Sequence, residues 1–374
     1  MKKDKVQHLR NIDFSKAKLD KLTCFIQDGT HSTPNYVAFG IPFYSVETIV
    51  NDDFSHTKCI TEEEHDEFSK RCPLMKNDIL MTRIGDIGTP KIIDWIPKAS
   101  IYVSLALLRT NDRISSKYLT QYIQTPYFRK ELWKYMLHTA TPKKINLGEI
   151  KKCEVRYPVE ISVQNSIAIG LGFLDKKIKL LERKIMNLKL FNKGLSYRLL
   201  YNEDPQTEAS ITELFAVETG TKNNQDKDDN AKYPFYVRSE KFEHIGNYSY
   251  DEEAILIPGE GKIGEIYHYI DGKFEVHQRV YKISGDNKKC MIKFVYYYMR
   301  IFFKKHALSF SSKATVDSLR MIVFDKFNIP IIPIDQQKKI TKQLDLVSQK
   351  ISFLEEKLNE SKLFKKGLLQ KLFL

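Results

Sequence analysis

One long helical pattern occurs twice in this chain, and the two copies register without a gap when 173 is added to the residue number. In the first copy Ile167, Leu171, Leu174, Ile178, Leu181, Ile185 and Leu188 step alternately by four and three residues. In the second, Ile340, Leu344, Val347, Ile351, Leu354 and Leu358 take the same steps. This spacing buries a narrow seam against another helix; a strand would alternate with period two, and a surface helix would carry a broader apolar face. Between Gln164/Gln337 and Leu200/Phe373, 15 of 37 aligned residues are identical. Both copies close on the same words, KLFNKGL (189–195) and KLFKKGL (362–368). Two unrelated core helices would not share sequence at this level, so the pattern is an internal repeat that divides the whole chain.

The division predicts a globule over residues 1–158, a helix over 159–204, a second globule over 205–333 and a second helix over 334–374. Each globule is long enough for its own core. A helix of about 38 residues is roughly 57 Å long, whereas a globule of about 125 residues has a radius of gyration near 14 Å. The second globule joins the end of the first helix to the start of the second, so parallel helices would force it to bridge nearly a full helix length. Antiparallel pairing is therefore expected, with a globule toward each end of a rod and an approximate twofold axis.

The globules also resemble each other. IPFYSVETI (41–49) followed by DILMTRIGDIG (78–88) in the first corresponds to YPFYVRSEKF (233–242) followed by AILIPGEGKIG (254–264) in the second. Each then has an aromatic stretch of helical character, a polar loop (TATPKKINLGEI or SSKATVDSLRMI) and an apolar strand ending at proline. Apolar runs closed by glycine turns suggest β-hairpins carrying loops, so each globule is expected to be mixed α/β. The scaffold is shared while the loop residues differ.

Sixty Lys plus Arg stand against 47 Asp plus Glu, a net charge of +13 that suits a polyanionic partner. A Lys-rich chain that is also rich in Ile, Asn, Phe and Tyr can owe that excess to genomic base composition alone. No run of 18 apolar residues occurs and the N-terminus lacks an apolar core segment, so neither a membrane nor a secreted protein is expected. Five scattered cysteines without a CxxC pair read as reduced thiols of a cytoplasmic protein. Two related globules held apart by a stiff spacer can read two sites at a fixed separation. On DNA, roughly 34 to 57 Å corresponds to about 10 to 17 base pairs. Different side chains on the same scaffold would read different bases in the two halves, making the site bipartite and non-palindromic.

With these residues in view, the chain resembles the DNA-specificity (S) subunits of type I restriction-modification systems. The resemblance covers essentially the whole chain. It is carried by the paired helix endings, by IPIDQQKKI (332–340), by DGTHSTPNY (28–36) running on to GIPFY (40–44), and by the paired glycine loops RIGDIG and GEGKIG. The first helix departs from the pattern at YPVEISVQNSI, with Val163 where an acidic or amide residue is usual, and the second globule has GTKNN (220–224) where the first has GTHST. The resemblance implies an α+β fold: two mixed α/β target-recognition domains separated by two long helices forming an antiparallel coiled coil, as a pseudo-twofold internal repeat. It implies a non-catalytic subunit that binds double-stranded DNA and needs no cofactor. Two modification (methyltransferase) subunits would be its partners, joined by restriction (translocase/endonuclease) subunits in the full complex.

The residues agree with that division of labour. The strings TPYF (125–128) and YPFY (233–236) lack the first residue and second proline of an amino-methyltransferase turn, and no GxxxxGK[ST] phosphate loop is present. Gly259, Gly261 and Gly264 spell GxGxxG, but the residues after them read as strand and turn, so a hairpin loop is expected rather than a dinucleotide site. Asp251 with Glu260-x-Lys262 imitates a nuclease metal triplet by a spacing common by chance. The nine histidines show no zinc spacing.

For DNA contacts the useful residues are those that put donors on loops. In the first globule these are Thr30, His31, Arg83, Gly85, Thr141, Lys143 and Lys144. In the second they are Thr221, Lys222, Arg238, Ser239, Gly261, Lys262, Arg279, Ser312, Lys313 and Thr315. Arg83 can pair with guanine or hold a phosphate, and the glycines let backbone approach closely; ordinary solvation is the competing reading for each. Apolar residues beyond the regular heptad steps, Phe191, Leu195 and Leu199 with Phe364, Leu368 and Leu372, either continue the seam with altered pitch or dock the modification subunits. Gly194 and Gly367 would permit close helix approach there. The rival reading from another class is a coiled-coil scaffold that binds protein partners without DNA sequence preference.

Overall fold

The computed structural model describes residues 12–201, 207–310 and 318–373. The chain forms two compact units, one of residues 1–180 with 358–374 and the other of residues 181–357. Each unit takes part of each long helix.

In the first unit β1 (Phe14–Lys18), β2 (Thr23–Asp28), β3 (Ile41–Tyr44), α1 (Val46–Asn51), β4 (Lys58–Ile60) and α2 (Glu62–Arg71) precede the hairpin β5 (Ile79–Ile84) and β6 (Asp86–Ile92). Then come β7 (Ser100–Ile101), β8 (Leu105–Thr110), α3 (Ser116–Ile123), α4 (Pro126–Tyr135), α5 (Leu147–Ile150), β9 (Glu154–Pro158) and the start of the 40-residue α6 (Ile161–Leu200), whose residues from 181 on belong to the second unit. The aromatic stretch is helical as expected, but Pro126 breaks it. Proline lacks the N–H that would continue α3, and it sits where α4 starts, behind the Thr125 cap. The strands order as β2-β8-β5-β6, β4-β3-β7 and the antiparallel pair β1-β9.

The second unit contains β10 (Glu208–Ser210), α7 (Ile211–Leu214), β11 (Ala216–Thr219), β12 (Tyr233–Tyr236), β13 (Glu243–Ile245), β14 (Tyr250–Pro258), β15 (His268–Val276) and β16 (Val280–Ser284). α8 (Ile292–Ser309), α9 (Met321–Asp325), β17 (Asn328–Pro330) and the start of the 40-residue α10 (Ile334–Phe373) complete it, the residues of α10 from 358 on belonging to the first unit. Its sheet runs β11-β16-β14-β15-β12-β13, and β10 pairs with β17 as β1 pairs with β9. The topology repeats that of the first unit. β15 does alone what β6 and β7 share, pairing antiparallel with β14 and parallel with β12, as β6 pairs with β5 and β7 with β3.

Ile167, Leu171, Ile185, Ile340, Leu344, Ile351 and Leu354 are buried, while Leu174, Ile178, Leu181, Leu188, Val347 and Leu358 are partly covered. Within the first unit the start of α6 meets the end of α10: Asp175 pairs with Lys365 at 2.5 Å, and Leu171 and Phe373 enter one core. Within the second the end of α6 meets the start of α10: Lys189 pairs with Glu355 at 2.7 Å, and Leu200, Ile340 and Leu344 enter one core. The pairing is antiparallel in both. No helix among the described residues is long and apolar enough to cross a membrane.

Candidate nucleic-acid interface

In each unit three segments meet at one edge of the sheet. The first follows β2 or β11. At Gly29 an added Cβ would lie 1.8 Å from the Ile101 carbonyl oxygen, and at Gly220 it would lie 1.9 Å from that of Val276. Only glycine fits, and the next residues are thereby held against the neighbouring strand: Val103 donates its N–H to the Thr30 carbonyl at 2.9 Å, and Gln278 donates to that of Lys222 at 2.9 Å. His31 and Thr221 project from these loops, exposed, while Thr30 and Lys222 are half-buried.

The second segment is the tip of the β5–β6 or β14–β15 hairpin. Gly85 and Gly261 occupy matching tip positions at φ 81° and 86°, a left-handed conformation that disfavours any side chain. Both are exposed, and among the described residues nothing lies within 4 Å of a Cβ added at either. The third is the polar loop before α5 or α9. It is tied to the tip by the Gly85 N–H donating to the Lys143 carbonyl at 2.8 Å and by the Ile145 N–H donating to the Arg83 carbonyl at 3.0 Å. In the second unit the Leu319 N–H donates to the Gly259 carbonyl at 2.8 Å. Thr141, Lys143 and Lys144 are exposed on the first of these loops. Ser312, Lys313 and Thr315 fall on the second but lie outside the described residues.

Arg83 requires a correction. It is on β5 rather than on a loop and is only 6% exposed. Its guanidinium donates to Asp28 Oδ2 at 3.2 Å and to the carbonyls of Val103 at 2.7 Å and Ile145 at 3.1 Å. Burial pulls its pKa below the ordinary guanidinium value, and the Asp28 charge opposes that shift. With these donors committed inside the fold, Arg83 shapes the edge and does not reach out from it.

The carboxylate it meets was not singled out by sequence reasoning. Asp28, 3% exposed, also accepts from the half-exposed Arg71 at 2.5 Å and lies 3.1 Å from the His31 ring. Arg71 ends α2, whose first turn carries Glu62, Glu63 and Glu64 and whose last carries Lys70 and Arg71, as the helix dipole favours. Asp28 thus joins Arg71, His31 and Arg83 into one hub. Nothing in the local sequence marked Arg71, which is 43 residues from Asp28.

The second unit builds its hub differently. Glu260, on the hairpin tip, accepts from Arg279 Nη1 at 2.6 Å through both carboxylate oxygens and from Arg238 Nη1 at 3.1 Å. These hydrogen bonds and charges, Arg279 foremost, hold the Glu260 carboxyl below its usual range and raise Arg279. Lys262 stands exposed two residues away. The Ser239 hydroxyl donates to the Lys241 carbonyl at 2.5 Å. Beside the hub opens a cleft of about 610 Å³, floored by Phe235, Val237 and Ile266 and rimmed by Arg238, Glu260 and Lys262. His277 beneath it is driven below its usual pKa, first by burial and then by the neighbouring arginines, and its Nδ1 accepts the Arg279 N–H at 3.0 Å.

The enzyme-like patterns take other roles. Gly259, Gly261 and Gly264 lie in the β14–β15 hairpin loop, which leads into strand rather than helix. Asp251 lies near the far end of β14 from Glu260, opposite Lys273. Among the described residues no cluster of three metal-ligating side chains occurs.

On the long helices the proposed docking set divides. Phe191 and Phe364 are 57% and 63% exposed at matching positions. Leu195 and Leu199 instead pack against the second unit's core, and Leu368 and Leu372 against the first unit's. For these four leucines the docking expectation is corrected: each covers its own unit's core. Among the described residues a Cβ at Gly194 or Gly367 would meet nothing within 4 Å, so neither glycine serves a close approach to any of them.

Known proteins share this fold. The S subunit of a type I restriction-modification system from M. genitalium superposes with a TM-score of 0.73 over 97% of both chains at 16% identity. A putative type I restriction enzyme specificity subunit of Methanocaldococcus jannaschii, MjaX, is 23% identical over 96% of this chain and 92% of its own length. The EcoDI specificity subunit of Escherichia coli is 25% identical over 40% of this chain and 33% of its own length. The family model described as the type I restriction modification DNA specificity domain matches residues 10–190 and again 203–362, one match for each copy of the repeat. With two such matches covering nearly all of it, and with its duplicated sheet edges and paired helices, the chain belongs to the type I restriction-modification DNA specificity family.

Proposed function

We propose that the protein is the non-catalytic sequence-reading subunit of a type I restriction-modification complex, each unit reading one half of a bipartite, asymmetric DNA site. The observation that carries this reading is the pair of equivalent sheet edges with unlike side chains. Gly29 and Gly220, and Gly85 and Gly261, repeat the backbone, while the side chains around them differ: His31, Arg71, Lys143 and Lys144 stand on one edge and Thr221, Arg238, Lys262 and Arg279 on the other. Equal backbones place donors at equal depth, and unlike donors select unlike bases. Exposed lysines supply phosphate contacts and account for the use of the net positive charge.

In this reading the two 40-residue helices act as the spacer that fixes the gap between the half-sites. The exposed Phe191 and Phe364 with Gly194 and Gly367, repeated 173 residues apart, form two equivalent contacts for two modification subunits, to which restriction subunits add in the full complex. The protein would act in the cytoplasm, where such DNA is found. Methylome sequencing of a host expressing this chain with its neighbouring modification subunit tests the proposal. A single split motif with a constant gap is the expected result, and no motif, or one without a gap, overturns it.

A further inference from the structure

The hub of the second unit sets a carboxylate among its exposed cations. Glu260 stands at the exposed hairpin tip between Arg238 and Arg279, with Lys262 beside it. Each arginine meets it through one nitrogen, Nη1, although a guanidinium carries five N–H donors. The anchoring therefore fixes the direction of each fork and leaves the rest of it presented, with the two side chains 44% and 52% exposed. A carboxylate accepts from guanidinium with nearly the geometry of a phosphate. The same anchor thus competes with any DNA backbone that approaches these arginines.

The contrast with Asp28 sharpens the point. Asp28 is buried and holds the buried Arg83, so its charge is part of the fold. Glu260 is a third exposed, its partners are more exposed still, and no buried cation depends on it. Its charge therefore lies where an approaching ligand can meet it.

We propose that Glu260 is a specificity-determining charge gate: it neutralises and orients Arg238 and Arg279 so that they engage the correct bases but are withheld from the phosphates of other sequences. This inference rests on the reading that the second unit's edge meets DNA. With Glu260 the group of Arg238, Lys262 and Arg279 carries one fewer net positive charge, and non-specific affinity follows the number of phosphates neutralised. A guanidinium held by one corner also loses less freedom when it docks bidentately on a base edge.

The test uses the full chain co-expressed with its modification subunit, as wild type, Glu260→Gln, Glu260→Asp and the double variant Glu260→Gln/Arg279→Gln. Methylation maps and binding to duplexes of cognate and scrambled sequence are measured at several salt concentrations. Glu260→Gln should bind the scrambled duplex about three- to tenfold more tightly, with a salt slope steeper by up to about 1, and should methylate additional sites relaxed in one half only. Glu260→Asp should keep discrimination, and the double variant should lose the gain in scrambled-sequence affinity. An unchanged map and slope in Glu260→Gln overturn the gate. So does weakened cognate binding with no gain elsewhere, which would make Glu260 a direct base contact. If the wild-type complex shows no split motif, the proposed function fails and the gate with it; a split motif with an indifferent Glu260→Gln sinks the gate alone.

Discussion

Gln164 and Gln337, 173 residues apart, are both fully buried and make the same three hydrogen bonds. The Gln164 amide oxygen accepts from the Ser115 N–H at 2.8 Å, and its nitrogen donates to the carbonyls of Arg113 at 3.1 Å and Pro158 at 2.7 Å. Gln337 accepts from the Met291 N–H at 2.8 Å and donates to Lys289 and Ile332, each at 2.8 Å. Each therefore bolts the first turn of a long helix to the start of the sheet-covering helix of its own unit, α3 or α8.

Replacing either glutamine by alanine should destabilise its unit by about 2 to 4 kcal/mol, because a buried N–H and two carbonyls lose their partners at once. Urea unfolding followed by tryptophan fluorescence reports Gln164→Ala well, since Trp95 and Trp133 both lie in the first unit. Gln337→Ala is better followed by circular dichroism. A loss below about 0.5 kcal/mol in both would contradict the bolt.

Arg83→Ala should act on folding before it acts on DNA. Removing the guanidinium leaves Asp28 buried with one partner fewer, at a cost of about 3 to 5 kcal/mol. Chemical denaturation measures this, and the double variant Arg83→Ala/Asp28→Asn should recover part of the loss. A stable Arg83→Ala protein with selectively weakened cognate binding would restore the arginine to the role that the sequence alone suggested.

Lys143→Ala and Lys144→Ala should weaken binding nearly uniformly across sequences, each lowering the slope of log affinity against log salt by about 1 if the lysine neutralises a phosphate. Arg71→Ala should instead reduce discrimination, since its guanidinium is oriented by Asp28. Fluorescence anisotropy with cognate and scrambled duplexes separates these outcomes.

Phe191→Asp and Phe364→Asp should leave the fold intact while reducing co-purification with the modification subunit, because both rings are solvent-exposed. Leu368→Asp is the unsuitable version of this experiment: Leu368 packs on the first unit's core, so its charge would cost stability whether or not a partner docks there. A complex unaffected by the double variant Phe191→Asp/Phe364→Asp would place docking elsewhere.

Thiol chemistry should divide the cysteines. Cys24 is exposed, whereas burial pushes the thiols of Cys72, Cys153 and Cys290 from an ordinary 9.0 to about 12. At pH 8 a disulfide reagent should modify Cys24 readily and those three only on unfolding. The raised folded-state values mean that the native state keeps its thiol protons where the unfolded chain releases them. The associated stability is complete below pH 9 and is lost progressively as pH rises toward 12. Thermal melts across that window check the sign.

Much of the fold was legible because its largest elements are encoded locally. The seam from Ile167 to Leu188 and its copy from Ile340 to Leu358 depend on neighbours three and four residues apart, and the connectivity argument for antiparallel pairing needs only lengths. The hairpins at RIGDIG and GEGKIG announced themselves by their glycines. Two features were harder to see: Pro126 splitting α3 from α4 was visible as a residue but not weighted, and the partition of each long helix between two units has no local signature. Of the candidate edge, the loop segments are legible in the sequence and the surroundings of their individual side chains are not. Gly85 and Lys143 are joined by a hydrogen bond, while Arg83 turns inward to Asp28 and Arg71, held by the same carboxylate, keeps its guanidinium half-exposed.

The sequence by itself determined the duplicated frame, the mixed α/β character of each half and membership in a DNA-reading class, because periodicity, glycine turns and repeats survive in one dimension. Only the tertiary structure decided where the guanidinium groups point. Arg83 meets Asp28 across 55 positions, Arg71 meets it across 43, and Arg238 and Arg279 meet Glu260 across 22 and 19. A charge of long reach is satisfied by whichever strand or loop the fold brings beside it, and that neighbour is not written within a few residues of the arginine itself.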